Sequence, residues 1–85
     1  MLTKNSRVIL RLFKGSLTAT IGCDPKENYW ALIGEQGTVA EPRNDKARVL
    51  VKFDCQISKR NLHCHNPILN SLYILETDLE EIQEI

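Results

Sequence analysis

Residues 34–53, GEQGTVAEPRNDKARVLVKF, decide the fold, because their pattern is typical of one β-hairpin. The first predicted strand covers residues 37–41 and turns Val39 inward. Pro42 ends this strand, since proline within a sheet is confined to edges, strand ends and bulges. Residues 43–46 then have the composition of a turn.

The second strand of the hairpin, residues 47–53, has the clearest alternation in the chain. Its predicted inner face consists of Ala47, Val49, Val51 and Phe53, and its outer face of Arg48, Leu50 and Lys52. Burial of the inner face stabilises the fold by about 1.5–3 kcal/mol for each large side chain. Gly34 and Gly37 are interpreted as turn glycines. The hairpin is therefore scaffold, since its pattern is explained without any chemistry.

Three further strands are predicted around the hairpin. SRVILRLF, residues 6–13, turns Val8 and Leu10 toward the core and leaves Phe13 on the outer face. Residues 71–75 form the next strand. A capping box at 77–80 predicts a one-turn helix or a final short strand through Leu79 and Ile82. Residues 83–85 are expected to fray.

Two irregular segments separate these strands. In residues 14–33, the alternation of 17–21 allows a short strand. Asp24-Pro25-Lys26-Glu27 has the pattern of a capped turn, and residues 30–33 are predicted to be extended. Residues 54–70 are polar and lack a sustained period. Because loops of this length are usually functional or disordered, the working surface is expected on these two segments.

Length and composition predict one small domain over residues 1–85, ordered over about 4–82. Eleven basic and eleven acidic residues give zero net charge, which argues against a dedicated nucleic-acid binder. The charge is nevertheless segregated, because residues 1–23 contain four bases and no acid, and residues 66–85 contain five acids and no base. The acidic C-terminal region is expected to fold back near the basic strands or to remain solvated.

The sequence predicts a cytoplasmic protein. Residues 1–13 lack the apolar core and cleavage site of a signal peptide, and no run of 18 apolar residues predicts a membrane span. Three cysteines are an odd number, which favours reduced thiols over a disulfide framework. No membrane partner is expected.

The order of these segments resembles a Src-homology-3-like small β-barrel, of the KOW type or a similar bacterial module. The resemblance rests on RVILRL, a long loop, GEQGTVAE, a short turn, RVLVKFD, a second loop, NSLYI and a closing DLEEI, over about residues 6–82. It implies a mainly β fold, a five-stranded and partly open barrel with a long first loop and a short helical turn near the C-terminus. In such a barrel, 72–74 would be the closing strand. The stretch CHNPILNSLYILETDLEEI is also similar to a bacterial family, and that similarity implies no activity.

The leading hypothesis is a non-enzymatic module that contacts another protein. Tyr and Trp are enriched at protein interfaces, and long polar loops often carry binding residues. The predicted contact residues are Tyr29, Trp30, Tyr73, His63, His65 and Asn66. No catalytic residue and no cofactor is predicted. The chain is expected to be a monomer or a weak homodimer, with Ile9 and Leu50 as exposed apolar residues that could support a dimer.

Two alternatives remain open at this stage. The first is nucleic-acid binding through a basic face, with salt-dependent affinity. Its predicted residues are Arg43, Lys46, Arg48, Lys52, Lys59 and Arg60. The second is a metal or thiol site in the 55–65 segment, because thiolate and imidazole are the ligands that zinc prefers. Its candidates are Cys55, His63, Cys64 and His65, with Cys23 as a substitute ligand. The spacing is poor for zinc, which favours the interpretation that Cys55 and Cys64 are packing residues and that the two histidines lie on a loop surface.

Overall fold

The computed structural model describes residues 2–82, which include five antiparallel strands in one open sheet. The strands are β1 (Arg7–Leu10), β2 (Gln36–Glu41), β3 (Arg48–Phe53), β4 (Ser71–Leu75) and β5 (Leu79–Glu81). Four 3₁₀ turns in the described chain are Pro25–Glu27, Tyr29–Leu32, Ile57–Arg60 and Glu76–Asp78. The strand order β4-β3-β2-β1-β5 leaves the sheet open between β4 and β5. The predicted mainly β, partly open class is therefore confirmed, with its long first loop (residues 11–35) and its helical turn near the C-terminus.

The β2–β3 hairpin is confirmed, with Val39 paired to Val51 and both fully buried. Its turn is one residue longer than predicted, because Asn44 Oδ1 accepts the amides of Lys46 and Arg48. This side-chain cap holds Ala47 in the turn at φ 60°, so that Ala47 is not part of β3.

Gly37 was wrongly interpreted as a turn glycine, since it lies inside β2 opposite Phe53. A Cβ on Gly37 would lie 2.6 Å from the carbonyl oxygen of Lys52. Gly34, by contrast, does turn the chain, at φ 95°. The two glycines therefore serve different needs, one a close approach of strands and one a left-handed backbone conformation.

Leu50 was predicted to be exposed, and this is wrong, since only 3% of it is exposed. Its register partners are Glu41 on β2 and Tyr73 on β4. The Tyr73 hydroxyl donates to Glu41 Oε2 at 3.4 Å, and this contact crosses the outer face over Leu50. Leu50 is thus covered from within the chain and offers no surface for a dimer. Ile9 is half-buried.

β1 is shorter than the predicted strand, because the chain leaves the sheet after Leu10. The Arg11 amide donates to the carbonyl oxygen of Asp78, which continues the β1–β5 register, and the Leu12 amide turns away from β2 to donate to the same oxygen. Phe13 consequently turns into the core, where 7% of it is exposed, and does not lie on the outer face as predicted.

The first loop contains no strand, so the alternation at 17–21 was misleading. One isolated bridge joins Phe13 and Ser16, while Leu17 and Ile21 are exposed. The capped turn is confirmed, since the Asp24 side chain accepts the amide of Lys26. Residues 30–33 are not extended as predicted, because Tyr29–Leu32 is a 3₁₀ turn.

The 3₁₀ conformation at Tyr29–Leu32 has a packing reason. In a 3₁₀ turn, residues three apart lie on the same side, which brings Tyr29 and Leu32 together against the core. Residues 54–70 also contribute to the core, through Ile57 and Leu62. Both irregular segments are therefore anchored by apolar side chains.

The core lies on one face of the sheet and beneath the two irregular segments. Its buried apolar residues are Leu2, Val8, Leu10, Phe13, Tyr29, Leu32, Val39, Val49, Val51, Phe53, Ile57, Leu62, Leu72 and Ile74.

At the C-terminal end, both predicted alternatives occur in sequence, a 3₁₀ turn followed by the short strand β5. Thr77 lies inside the turn and is not its cap. β5 pairs with β1, so residues 72–74 do not close a barrel but lie in β4 at the open edge. The fraying expected at 83–85 lies outside the described residues.

Candidate functional site

A pocket of about 430 Å³ lies between the first loop and β4. We call it the loop–edge pocket. Its apolar and aromatic lining consists of Phe13, Tyr29, Trp30, Leu72 and Tyr73. Its charged and polar lining includes Lys14, Asp24, Glu27, Arg48, His65 and Asn66. The pocket exists because the first loop leaves β1 at Leu10 and passes β4 without pairing to it.

Three aromatic rings form one wall of the loop–edge pocket. Phe13 contacts Trp30 edge to face, with 4.9 Å between ring centroids, and Tyr29 at 5.5 Å. Such arrangements stabilise aromatic pairs beyond the area they bury. Phe13 and Tyr29 are buried while Trp30 is half-buried, so Trp30 is the ring available to a ligand.

Tyr29 connects the two irregular segments. Its hydroxyl donates to the carbonyl oxygen of His63 at 2.6 Å, and the His63 amide donates to the carbonyl oxygen of Lys26. Burial raises the pKa of Tyr29, and the nearby Glu27 carboxylate raises it further. The phenol therefore stays a neutral donor at physiological pH.

The indole Nε1 of Trp30 and the side-chain oxygen of Asn28 are buried, and neither has a hydrogen-bond partner in the part of the chain described. Buried polar atoms without partners are rare in folded proteins. Both belong to the segment that forms the aromatic wall.

The charges of the loop–edge pocket are separated. Glu27 lies 3.4 Å from His65, and with Asp24 it forms what we call the acidic end. Arg48 is the register partner of Leu75, and Lys14 precedes Gly15, whose amide donates to Asp78 in the turn after β4; these two cations form the basic end. The pocket is therefore bipolar along β4.

The segment before β4 is fixed by Cys64 and Asn66. The Cys64 thiol lies 3.4 Å from the carbonyl oxygens of both Ile68 and Ser71. Asn66 Nδ2 donates to the Ser71 carbonyl oxygen at 2.7 Å, and the Ser71 hydroxyl donates to Ile68. These bonds explain why this polar stretch is ordered without a strand or helix.

The structure brings together five of the six predicted contact residues in the loop–edge pocket: Tyr29, Trp30, Tyr73, His65 and Asn66. His63 lies outside the lining, with its ring 5.6 Å from that of His65. The sequence interpretation missed Phe13, which the alternation turned outward. It also missed the acidic end, although the capped turn pointed to Asp24.

The six predicted nucleic-acid residues do not act as one set. Arg43 lies 3.8 Å from Glu76, and Arg60 pairs with Glu35. Arg48 lines the loop–edge pocket, while Lys46, Lys52 and Lys59 are exposed. Two of the six cations are therefore already paired with acids of this chain.

The cysteine and histidine candidates are also divided. Within residues 2–82, no three His, Cys, Asp or Glu side chains are grouped to hold a metal ion. Cys23, Cys55 and Cys64 are free thiols, and Cys55 and Cys64 pack against the core. Burial raises the pKa of the Cys55 thiol, Glu35 adds to the rise, and Arg60 partly opposes it. A protonated thiol is a poor nucleophile and a poor ligand.

Comparison with protein-family models, with curated protein sequences and with solved structures found no match for this chain. Across residues 2–82, no helix has the length and apolar character needed to cross a membrane.

Proposed function

We propose that this chain is a non-enzymatic module that binds another protein through the loop–edge pocket. One observation carries the proposal: five residues selected from the sequence as contact residues converge on one pocket of about 430 Å³. That volume lies within the usual range of ligand-binding pockets. Trp and Tyr are also the side chains most enriched at binding hot spots.

Two further features support the proposal. The Cys64 thiol is directed at backbone carbonyl oxygens, and the pKa of Cys55 is raised, so neither has the environment of an activated nucleophile. The unpartnered Trp30 and Asn28 atoms lie in the segment that lines the pocket. Buried polar atoms without hydrogen-bond partners occur in folded proteins mainly at functional or strained sites.

The relationship to Src-homology-3-like barrels is part of the proposal. It is supported by the long first loop, the β2–β3–β4 meander and the 3₁₀ turn between β4 and β5. A cytoplasmic location is proposed with it and is supported by three free thiols.

The test is affinity capture with tagged wild-type chain and two alanine variants, read by quantitative mass spectrometry. Trp30→Ala removes the half-buried ring of the pocket. Ile21→Ala is the matched control, because Ile21 is fully exposed and does not line the pocket. We expect proteins captured by wild type and by Ile21→Ala to be lost from folded Trp30→Ala. Equal capture by all three proteins would contradict the proposal.

Nucleic-acid binding remains the second candidate, supported by the exposed Lys46, Lys52 and Lys59. It requires a gel shift at low salt that weakens steeply as salt rises. The arrangement of residues 2–82 gives no support to a metal or thiol site at 55–65, because no three His, Cys, Asp or Glu side chains are grouped to hold a metal ion. Zinc in protein purified without a histidine tag, with a loss of stability when a chelator removes that zinc, would contradict this.

A further inference from the structure

β4 is an edge strand whose outward backbone groups follow from its pairing with β3. Phe53 donates to the Asn70 carbonyl oxygen, and Glu76 donates to the Ala47 carbonyl oxygen. Hydrogen-bonded and non-hydrogen-bonded pairs alternate in an antiparallel ladder. Leu72 and Ile74 therefore bond to β3, while the N–H and C=O groups of Ser71, Tyr73 and Leu75 point away from the sheet.

The first outward carbonyl already has partners that take the position of a neighbouring strand. Asn66 Nδ2 donates to the Ser71 oxygen at 2.7 Å, and the Cys64 thiol approaches the same oxygen. Two residues after Ser71, the next outward-facing groups are the N–H and C=O of Tyr73. They have no hydrogen-bond partner among residues 2–82. The edge is thus satisfied at one end and open at its centre.

β4 also lacks the features that protect exposed edges. Natural edges are commonly short or carry charged residues, proline or a bulge. Ser71–Leu75 is SLYIL, with no charge, no proline and an unbroken register against β3. β5, the other edge, has only three residues, two of which are Glu80 and Glu81. Among the strands of residues 2–82, β4 is therefore the one with an unprotected edge for strand addition.

The charges of the loop–edge pocket give this edge a direction. The acidic end, Asp24 and Glu27, lies at the start of β4, because Glu27 contacts His65 and the neighbouring Asn66 bonds to Ser71. The basic end lies at the other end of β4, because Arg48 pairs with Leu75. A strand lying along β4 therefore meets opposite charges at its two ends.

We propose that the partner docks by strand addition, with an extended segment pairing antiparallel to β4 in the loop–edge pocket. This inference rests on the proposed function and specifies its mode of recognition. The segment's central residue bonds to the N–H and C=O of Tyr73. The next residue lies opposite Leu72, with an apolar side chain directed toward Trp30. An acidic residue two positions before the central residue lies near Arg48. A basic residue two positions after the central residue lies near the acidic end.

The probe is the peptide acetyl-Thr-Glu-Thr-Thr-Ile-Lys-Thr-amide, titrated into ¹⁵N-labelled protein and followed by NMR. In the free protein, the Tyr73 amide should exchange with solvent at least about tenfold faster than those of Leu72 and Ile74. The peptide should shift and protect the Tyr73 amide. Swapping its Glu and Lys, or N-methylating its central Thr, should each weaken binding about tenfold, the equivalent of 1.4 kcal/mol.

Three results would overturn strand addition: a Tyr73 amide already protected in the free protein, no response of Tyr73 to the peptide, or equal binding of the N-methylated peptide. Tyr73→Pro removes the outward N–H without affecting the β3 ladder, since that N–H faces away from β3. Tyr73→Thr also lacks the ring but keeps the N–H. The peptide should bind Tyr73→Thr more tightly than Tyr73→Pro, provided both variants retain the wild-type fold.

The same two variants separate this inference from the proposed function in the capture experiment. If Trp30→Ala loses its partners while Tyr73→Pro and Tyr73→Thr retain them equally, the pocket binds protein but not by strand addition. If Trp30→Ala also retains them, the proposed function itself fails.

Discussion

Gly37 lies where β2 and β3 approach each other closely. A Cβ there would lie 2.6 Å from the Lys52 oxygen and 2.8 Å from a methyl group of Val51. One of these is a backbone atom of the paired strand, so the hairpin itself would have to shift. The close approach of β2 and β3 thus depends on the missing side chain.

We therefore expect Gly37→Ala to lower the free energy of unfolding by about 1–3 kcal/mol, as overpacking does. Urea unfolding measures this loss. The sign of the change in unfolding free energy is informative. In a strand with room for a Cβ, replacing glycine by alanine stabilises the fold by about 0.5–1 kcal/mol, because the unfolded chain loses conformational entropy. A stabilised variant would contradict the close contact.

Asp54 forms a bidentate ion pair with Arg7. Its two oxygens accept from the two terminal nitrogens of Arg7, at 2.8 and 2.6 Å. The hydrogen bonds to Arg7 lower the pKa of Asp54 below its ordinary value. The pair links β1 to the residue after β3, and its contribution to stability must depend on pH.

A lowered pKa in the folded state means that the pair stabilises fully above the unfolded-state pKa, near 4. This stabilisation is lost as pH falls through the lower folded-state value. Asp54→Asn should therefore be less stable than wild type at pH 6, and the difference should vanish toward pH 2. Because 53% of the Asp54 side chain is exposed, we expect at most about 1 kcal/mol. Asp45→Asn, in the exposed hairpin turn, is the control for thermal unfolding across pH.

At the scale of elements, Asp78 fixes the first loop. Its carboxylate accepts the Gly15 amide at 3.1 Å, and its carbonyl oxygen accepts the amides of Arg11 and Leu12. Only 1% of Asp78 is exposed. The turn before β5 therefore determines where the chain leaves β1, and with it the wall of the loop–edge pocket.

Asp78→Ala leaves the Gly15 amide without its partner, so we expect a loss of about 1–3 kcal/mol in unfolding free energy. Asp78→Asn keeps an acceptor oxygen and should lose less. Thr77→Ala, at an exposed neighbour, should change little. Trp30 fluorescence reports the pocket wall, and an Asp78→Ala spectrum identical to wild type would show that the loop is held by other contacts.

The secondary-structure elements show which features of the fold could be predicted from the sequence and which could not. The hairpin was predicted well because alternation and turn composition are local signals. The end of β1 could not be predicted, because it is set by Asp78, 63 residues from Gly15 in sequence. Burial of Leu50 depends on a contact between Tyr73 and Glu41 on the two flanking strands, and no single-strand pattern contains that information.

The candidate site was predictable by residue type but not by position. Aromatic residue type and polar loop composition indicate Trp30, Tyr73 and Asn66 as contact residues, but the sequence does not show that they lie close together. The pocket itself depends on the open edge of β4 and on the 3₁₀ turns of the first loop. The aromatic residues at 29–30 have strand propensity, and tertiary packing overrode it.

For the whole molecule, two ion pairs join acidic residues of the C-terminal region to basic residues that lie far from them in sequence. Arg11 of the basic N-terminal region lies 2.8 Å from Glu80, and Arg43 lies near Glu76. The acidic C-terminal region thus folds back on basic segments, as one of the two sequence interpretations expected. These two ion pairs bring opposite charges from distant parts of the sequence together.

This pairing predicts a salt-dependent coupling between distant parts of the chain. A double-mutant cycle of Arg11→Gln and Glu80→Gln should give a coupling energy of about 0.2–1 kcal/mol at low salt, because both side chains are more than half exposed. In 1 M NaCl the screening length falls to about 3 Å, so the coupling should approach zero. Urea unfolding of the four proteins at both salt concentrations measures it. A coupling that persists in 1 M NaCl would mean that β1 and β5 are joined here by packing of the side-chain stems and not by charge.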